Sequence, residues 1–441
     1  MRPLVFAAVL LGVPCAAQPA LDFGTVDALI ADSLDVIGGG AALLVMQDGE
    51  VLHRAGYGSF TPETVTLTAS AAKWLSGAVL ASLVSDGTLT LDDSLAQFFP
   101  TLEGEKRGIT VRQLFSHTSG IPGGSGIFAA PCLSDGSTTL AACAEAVLAL
   151  PLDAAPGAAF DYGGNSMQVA GRVAEIASGQ SWTTLFADRI AGPLGMTATG
   201  YTRTANPRIA GGMVTTVDDY GAFLQMLLDG GTYAGQRVLS PESVAALLAD
   251  QTREAEVVGS PYDAYAGRYP DLPDEIRYGL GVWRERVGSD GALLEASSQG
   301  AFGVSPWIDT ERRLGGILLV QDRLPEVMGT YLELKRRIRA IVDGSPVDAE
   351  AAPSDSGLRL DVWPNPLRLG ATVRYTLPEA AHVEAVLLDA LGRQVAVLDA
   401  GPRGGGVHRL RLDVAELASG TYHVAVRTGD QREAQTVTVR R

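Results

Sequence analysis

A change of composition near residue 350 constrains the fold more than any other feature of this sequence. Pro346 to Gly357 consists mainly of Ala, Pro, Ser, Asp and Glu, with almost nothing that a core could bury. Strand-like and helical patterns precede this stretch, whereas only short alternating strands follow it. We therefore predict a linker over residues 346–357 that joins a domain of residues 24–345 to a second domain of residues 358–441.

The first domain is predicted to hold one sheet assembled from distant parts of the chain. Asp48-Gly49 between two apolar runs is a strong signal of a β-hairpin. Apolar, β-rich runs return over Tyr278 to Val287 and over Leu314 to Gln321, while residues 110–180 and 215–250 indicate helices and loops. Strands at both ends with helices between them predict an α/β (α+β) domain in which helices flank the sheet and form an insert.

The second domain is predicted to be a small β-sandwich. Its apolar residues alternate over short stretches that are separated by turn residues such as Gly392 and Gly420. At least five strands with turns at this spacing are typical of a sandwich. The predicted strands are Thr372 to Leu377, Val383 to Leu388, His408 to Leu412, Tyr422 to Arg427 and Gln435 to Val439.

The chain begins with a pattern typical of a secretory signal peptide. Arg2 supplies the positive start, Leu4 to Val13 form an apolar run, and Cys15 to Ala17 place small residues at a cleavage site. We predict a signal peptide over residues 1–17 that is cleaved near Gln18. The apolar run is too short to span a membrane, and no later stretch of about 18 apolar residues occurs, so no transmembrane segment is expected.

Charge and cysteine content exclude several classes of partner. The net charge of −16 at pH 7 argues against nucleic acid or an anionic membrane. The five histidines are widely scattered, so we predict neither a metal site nor a cofactor.

Removal of Cys15 with the signal peptide leaves Cys132 and Cys143. An even pair in an exported protein favours a disulfide, because the alternative of a two-cysteine metal site lacks nearby histidines.

The candidate chemistry lies in Ser70-Ala71-Ala72-Lys73, at the start of an apolar stretch with helical spacing that extends to Val84. Residues three apart lie on one face of a helix, so the Ser70 hydroxyl should lie close to the Lys73 amine. A hydroxyl is a weak nucleophile until a base takes its proton, and a buried, neutral lysine can be that base. The alternative is a surface Ser and Lys on an ordinary helix, against which the apolar context argues.

Several further motifs, in their order along the chain, resemble those of the β-lactamase-related serine hydrolases. This superfamily includes class C β-lactamases, penicillin-binding proteins and esterases, for which Ser-x-x-Lys is a known motif. The resemblance covers about residues 24–343 and implies an antiparallel sheet, with Ser70 as nucleophile and Lys73 as its base. It makes His117 a structural residue. The motifs are Thr68 to Leu95, Ile109 to Gly120, Gly211-Gly212-Met213 with Asp218, and Tyr278 to Gly281.

In this superfamily a tyrosine faces the Ser-Lys pair, usually within Tyr-x-Asn. The matching stretch here is Phe160-Asp161-Tyr162-Gly163-Gly164-Asn165. The resemblance implies that Tyr162 relays protons to the leaving group and that Asn165 helps to bind the substrate. Asn165 stands one position late, however, with Gly164 at its usual place. A buried aromatic residue beside a glycine turn is the alternative for Tyr162.

The third motif of the superfamily is Lys or His, a small residue and Gly, and Ser298-Gln299-Gly300-Ala301 matches it best. The resemblance implies that the backbone N–H groups of Ser70 and Ala301 form the oxyanion hole and that Ser298, Gln299 and Gly300 contact the substrate.

Ser298 replaces the cation that helps the superfamily to bind a substrate carboxylate. We therefore expect a small or peptide-like substrate with an ester or an uncharged amide. D,D-peptidase or β-lactamase activity is one alternative, and a non-catalytic surface binding protein is another.

The C-terminal residues resemble the sorting domain of type IX secretion. This resemblance covers residues 358–441 and implies an Ig-like β-sandwich that is handled by the type IX machinery. Export to the cell surface or the medium would then follow passage through the inner membrane with the signal peptide. A generic carbohydrate-binding or spacer sandwich is the alternative. The motifs are Trp363 to Pro366, Asp389 to Arg393, Gly406 to His408 and Leu417 to Tyr422.

Overall fold

The computed structural model describes most of the chain, and both the predicted signal peptide and the predicted linker lie outside the described part. The described residues are 21–124, 130–202, 205–264, 277–345, 358–363, 367, 370–414, 417–429 and 431–439. Within these ranges, no helix is both long enough and apolar enough to cross a membrane.

Within the described residues, the α-helices all precede the predicted linker. They are α1 (Gly24–Ser33), α2 (Ala72–Ser85), α3 (Leu95–Phe98), α4 (Val111–Phe115), α5 (Leu140–Ala149), α6 (Asn165–Ser178), α7 (Trp182–Phe186), α8 (Gly192–Leu194), α9 (Val217–Leu228), α10 (Pro241–Leu248) and α11 (Leu324–Val342).

The strands before the predicted linker are β1 (Gly40–Gln47), β2 (Glu50–Gly58), β3 (Thr66–Leu67), β4 (Ala159–Asp161), β5 (Gly200–Tyr201), β6 (Met213–Thr215), β7 (Thr232–Tyr233), β8 (Gln236–Arg237), β9 (Glu256–Gly259), β10 (Arg277–Tyr278), β11 (Trp283–Val287), β12 (Leu293–Ser297), β13 (Ser305–Asp309) and β14 (Leu314–Val320). The strands after it are β15 (Arg359–Trp363), β16 (Gly370–Leu377), β17 (Ala381–Asp389), β18 (Gln394–Arg403), β19 (Gly406–Asp413), β20 (Gly420–Thr428) and β21 (Gln431–Val439).

One seven-stranded sheet joins the two ends of the first domain. Its order is β10-β11-β12-β13-β14-β1-β2, and all of its strand pairs are antiparallel. The hairpin predicted around Asp48-Gly49 is β1 and β2, and Leu43 in β1 lies opposite Leu318 in β14. The prediction of a single sheet built from distant segments is therefore confirmed.

Strand β1 is buried on both of its faces because helices cover both sides of the sheet. Leu44 and Met46 belong to a core that includes α2 and the other helices of the insert. Leu43 and Val45 alternate with them and pack into a second core with residues of α1 and α11. Alternate residues of a strand point to opposite faces, so a continuous apolar run serves two cores at once.

The predicted single run from Tyr278 to Val287 is interrupted in the structure. Strands β10 and β11 flank a turn in which Gly281 has a φ of +84°. A Cβ atom at Gly281 would lie 2.1 Å from the carbonyl oxygen of Lys73, and one at Gly77 would lie 2.1 Å from that of Leu280. Glycine at both positions lets this turn approach the backbone of α2, which a continuous strand would not do.

The C-terminal residues form the predicted β-sandwich. A three-stranded sheet, β15-β16-β19, and a four-stranded sheet, β18-β17-β20-β21, share one apolar cluster. Val373 and Leu412 contribute to it from the first sheet, and Leu387 and Val424 from the second. The five predicted strands are confirmed, but β15 and β18 were missed. Strand β18 lies at the edge of its sheet, and its exposed face carries Val395 and Val397, so its apolar residues do not alternate with polar ones.

A disulfide joins Cys132 to Cys143 and closes a step of 11 residues. It ties a 3₁₀ turn at Pro131–Ser134 to helix α5. Replacing both cysteines by alanine should lower the free energy of unfolding by about 2–3 kcal/mol, because the unfolded chain regains the freedom that so short a loop restricts. Urea denaturation followed by tryptophan fluorescence measures this difference.

Chemical reduction of the disulfide provides the control. Dithiothreitol should lower the urea midpoint of the native protein and leave that of the double variant unchanged. Two alkylatable thiols in protein purified from an oxidising compartment would contradict the prediction.

Candidate active site

Ser70 lies in a 3₁₀ turn, Ala69–Ala71, that leads directly into α2. This turn is held from behind, because β3 pairs with β6 and the Thr68 amide donates to the carbonyl of Met213 at 3.0 Å. Ala69 has a φ of +44°, a backbone conformation that is strained for a residue with a Cβ atom. Such strain is common in functional turns. Ser70 itself is partly exposed at the start of the helix.

The side chain of Lys73 lies directly beside Ser70, as the helical spacing predicts. Its Nζ atom is 3.0 Å from Ser70 Oγ and donates to the carbonyl oxygen of Ala210, also at 3.0 Å. Burial and, as the smaller cause, the positive charge of Arg208 together lower the pKa of Lys73 to about 7. A large fraction of the amine is therefore neutral near pH 7, which gives it a lone pair for a proton.

Tyr162 completes a group of three polar side chains. It follows β4, and its amide donates to the carbonyl of Gly259 at 2.9 Å. Its hydroxyl interacts electrostatically with the side chain of Ser70, and Lys73 Nζ lies 4.6 Å from the centre of its ring. Burial raises the pKa of Tyr162 well above its ordinary value, so the phenol keeps its proton at neutral pH. The structure thus brings together Ser70, Lys73 and Tyr162.

His117 lies behind Tyr162 as part of an aromatic cluster. The centre of its ring is 4.8 Å from that of Tyr162 and 5.1 Å from that of Tyr278. Burial, together with the charge of Lys73, holds the pKa of His117 well below its usual range, so the imidazole is neutral. Neither ring nitrogen has a hydrogen-bond partner among the described residues. The observed contacts of this histidine are those of packing against the tyrosines.

The segment after β12 lies against the turn that carries Ser70. Ser298 Oγ is 3.1 Å from the carbonyl oxygen of Gly281 and 3.4 Å from that of Ser70, so its hydroxyl donates to the protein backbone. A Cβ atom at Gly300 would lie 2.1 Å from the carbonyl oxygen of Thr68. Only glycine permits this approach, and it leaves Ala301 exposed beside the turn.

Two predicted substrate-binding amides have protein partners instead. Asn165 Oδ1 accepts from the Ala130 amide at 3.0 Å, and its Nδ2 donates to the carbonyl of Pro122 at 2.8 Å. Gln299 is buried, and its Nε2 donates to Glu285 Oε1 at 2.7 Å. Neither amide is hydrogen-bonded to Ser70, Lys73 or Tyr162, and their roles in binding substrate stay predictions.

Arg208 is a candidate residue that the sequence interpretation did not single out. It is exposed, precedes the Lys73 partner Ala210 by two residues, and forms no ion pair within the described part of the chain. Its positive charge is the second cause, after burial, of the lowered pKa of Lys73. The only signal in the sequence is its position just before Gly211-Gly212-Met213, which says nothing about where its side chain lies.

The pH dependence of acylation should report the ionisation of Lys73. Its pKa is lowered in the folded protein, so the neutral, active form exists above about pH 7. The value of kcat/KM for a neutral ester should therefore rise with pH through about 7 and then level off. Arg208→Gln should move this rise to higher pH, because one cation that disfavours the ammonium form is gone. Steady-state rates measured across pH 5–9 provide the test.

Arg237→Gln is a matched control, since Arg237 is also exposed but binds the carbonyl of Gly230 beside β8. This variant should keep the native profile. A profile of Arg208→Gln that coincides with that of the native protein would show that Arg208 does not tune Lys73.

Two family models match this chain. Residues 26–340 match the model described as Beta-lactamase, and residues 361–440 match that described as Secretion system C-terminal sorting domain. Penicillin-binding protein 4 of Amycolatopsis lactamdurans is 32% identical over 168 residues, which are 36% of this chain and 43% of that protein. The chain thus matches less than half of the length of this relative.

Two solved structures match this chain over nearly the whole of their own length. A protein of Bacteroides dorei DSM 17855, described as a candidate β-lactamase, is 33% identical with a TM-score of 0.65, over 73% of this chain and 99% of that one. A D-stereospecific amidohydrolase from Streptomyces sp. is 21% identical with a TM-score of 0.53, over 70% of this chain and 97% of that one. The second match shows the fold alone. From its family match, its fold and its Ser-x-x-Lys site, the chain belongs to the β-lactamase family of serine hydrolases and carries a secretion sorting domain at its C-terminal end.

Proposed function

We propose that this protein is an exported hydrolase that cleaves an ester or an uncharged amide through an acyl-enzyme on Ser70. The observation that carries the proposal is the 3.0 Å distance between Lys73 Nζ and Ser70 Oγ, in a site where burial makes the amine a base near neutral pH. The partly exposed hydroxyl is open to a substrate, while the amine is shielded from solvent.

The reaction would proceed in two halves. Ser70 Oγ attacks the carbonyl carbon while Lys73 takes the hydroxyl proton, and the backbone N–H groups of Ser70 and Ala301 stabilise the oxyanion. Tyr162 passes its proton to the leaving group as the bond of that group to the carbonyl carbon breaks, and it regains a proton from Lys73. Water then attacks the acyl carbon and gives a proton to Lys73, which returns it to Ser70 Oγ as the acyl bond breaks, so the acid is released and the free hydroxyl is restored.

The preference for an uncharged substrate rests on Ser298. In this position the family usually has a cation that receives a carboxylate, and a charged pair of that kind is stronger than a neutral hydrogen bond. The Ser298 hydroxyl is also already bound to backbone carbonyl groups. An amidohydrolase among the structural relatives supports acyl transfer on this fold.

D,D-peptidase or β-lactamase activity is the second candidate, and Arg208 is the observation that favours it. This exposed cation near Lys73 has no ion-pair partner among the described residues, so it is available to a substrate carboxylate. The penicillin-binding protein among the relatives agrees with this alternative.

Kinetics on matched substrates separate the two candidates. We expect kcat/KM for short-chain neutral esters to exceed that for penicillins and cephalosporins by at least about tenfold, or roughly 1.4 kcal/mol in the barrier. Ser298→Lys should narrow this gap, because a new ammonium group favours only the anionic substrate. Mass spectrometry after exposure to a phosphonate and, separately, to a penicillin would show which compounds acylate the protein.

Efficient penicillin turnover by the native protein would contradict the ester preference. Arg208→Ala then serves as the decisive variant: loss of lactam turnover with retained ester turnover would assign the anionic substrate to Arg208.

The proposed location is the cell surface or the medium. The sorting domain matched over residues 361–440 supports handling by the type IX secretion machinery. The predicted signal peptide of residues 1–17 would supply the first export step, and the linker of residues 346–357 would separate the two domains. The disulfide between Cys132 and Cys143 suits an oxidising compartment.

A further inference from the structure

The side chain of Gln299 is held in a buried polar network behind the active site. Its Nε2 donates to Glu285 Oε1 at 2.7 Å and to Ser297 Oγ at 2.8 Å, and its Oε1 accepts from the hydroxyl of Tyr262. Both N–H groups and the carbonyl of the amide therefore have partners. A buried amide with this many partners has one orientation, because any other would leave polar atoms unpaired.

The network continues into buried charges that fix Glu285. Lys335 on α11 donates to Glu285 Oε2 and to Glu295 Oε2, the latter at 3.0 Å, and all three side chains are nearly inaccessible to solvent. Arg339 also pairs with Glu295. Moving Glu285 would separate its carboxylate from the Lys335 ammonium where water reaches neither group, and this would cost much free energy. The anchor of Gln299 is therefore rigid.

The backbone next to Gln299 follows β12 and lies against the turn that carries Ser70. Ser298 points to the opposite face and binds the carbonyl of Gly281, so the chain is held from both faces. The Gly300 amide donates to the carbonyl of Val304 at 2.8 Å, which closes the turn that carries Ala301.

We propose that Gln299 is a positioning residue: its anchored amide sets the distance of the Gly300–Ala301 backbone from the turn of Ser70, and so places the N–H group of Ala301 in the oxyanion hole. The inference rests on the proposed function, since it assigns that N–H group to the reaction. It replaces the contact with substrate that the sequence predicts for Gln299, because a side chain engaged with Glu285 and Ser297 points away from the reacting atoms.

The test uses Gln299→Met in the full-length protein. Methionine has a similar volume but cannot form these hydrogen bonds. We expect kcat for a neutral ester to fall by about tenfold to a hundredfold, as for small displacements of catalytic groups, with KM changed by less than about twofold. Tyr262→Phe, which keeps the shape and removes the donor to the Gln299 carbonyl, should change kcat in the same direction by less, and it serves if Gln299→Met does not fold.

A thionoester comparison separates positioning from a merely structural role. Sulfur accepts hydrogen bonds poorly, so the N–H donors of the oxyanion hole speed the reaction of an ester more than that of the matching thionoester. A displaced donor speeds the ester reaction by less. The ratio of the two kcat values should fall by at least about fivefold in Gln299→Met. Gln225→Met is the matched control, because Gln225 is a buried amide on α9 that binds Asp229. It should keep the native ratio.

Two results would overturn the inference. One is a native kcat and a native ester-to-thionoester ratio in Gln299→Met. The other is a loss of kcat that matches the unfolded fraction, as measured by circular dichroism, while the ratio stays native. Failure of the proposed function is seen separately in the native protein, as absence of both ester turnover and phosphonate labelling, and it would overturn both proposals together.

Discussion

Ser70→Ala is expected to abolish ester turnover and phosphonate labelling while the protein remains folded. The variant lacks the oxygen atom that forms the acyl bond, and loss of a nucleophile reduces kcat by at least about ten-thousandfold. The substitution removes one atom from a partly exposed position at the start of α2, so the midpoint of thermal unfolding should change little. Intact-protein mass spectrometry and a chromogenic ester assay measure the two losses.

Ser85→Ala is the matched control for this variant. Ser85 is the last residue of the same helix and is exposed, so its substitution should preserve both labelling and turnover. Full hydrolysis by Ser70→Ala would show that another group is the nucleophile and would refute the proposed mechanism.

Lys73→Ala is expected to slow acylation by at least about a hundredfold, the usual contribution of a positioned general base. The residual rate should also lose its rise through about pH 7, because that rise reports the ionisation of the Lys73 amine. Stopped-flow measurement of acylation by a chromogenic ester, repeated across pH, gives both quantities.

Lys106→Ala controls for the loss of a lysine that binds backbone carbonyl groups. Lys106 Nζ donates to the carbonyl of Leu148 at 2.6 Å and to that of Leu150, in the way that Lys73 binds Ala210. Its removal should lower stability without changing the acylation rate of folded protein. If Lys73→Ala kept the native pH profile, a different residue would be the base.

The features that the sequence predicted well depend on residues close together in the chain. The proximity of Ser70 to Lys73 follows from the rise and turn of one helix, and the hairpin around Asp48-Gly49 follows from the geometry of a tight turn. The family motifs also predicted that Tyr162 and the segment at Ser298 lie near Ser70. They did not show that the Ser298 hydroxyl binds backbone carbonyl groups.

Other features of the structure could not be predicted from patterns of neighbouring residues. The run from Tyr278 to Val287 has the composition of one strand, and it is broken because the turn must approach α2 at Gly281. Asn165 and Gln299 have the residue types of substrate ligands, and burial against the loop at Ala130 and against Glu285 engages them within the protein.

The sequence by itself predicted the two-part fold and the proximity of Ser70 to Lys73, because periodicity, turn residues and motif order record interactions along the chain. Only the tertiary structure decided the electrostatics of the site. Arg208 acts on Lys73 from 135 positions away in the chain, and Lys335 fixes Glu285 across 50. A pKa or a buried ion pair depends on distance and exclusion of water in space, and neither leaves a pattern in the order of residues.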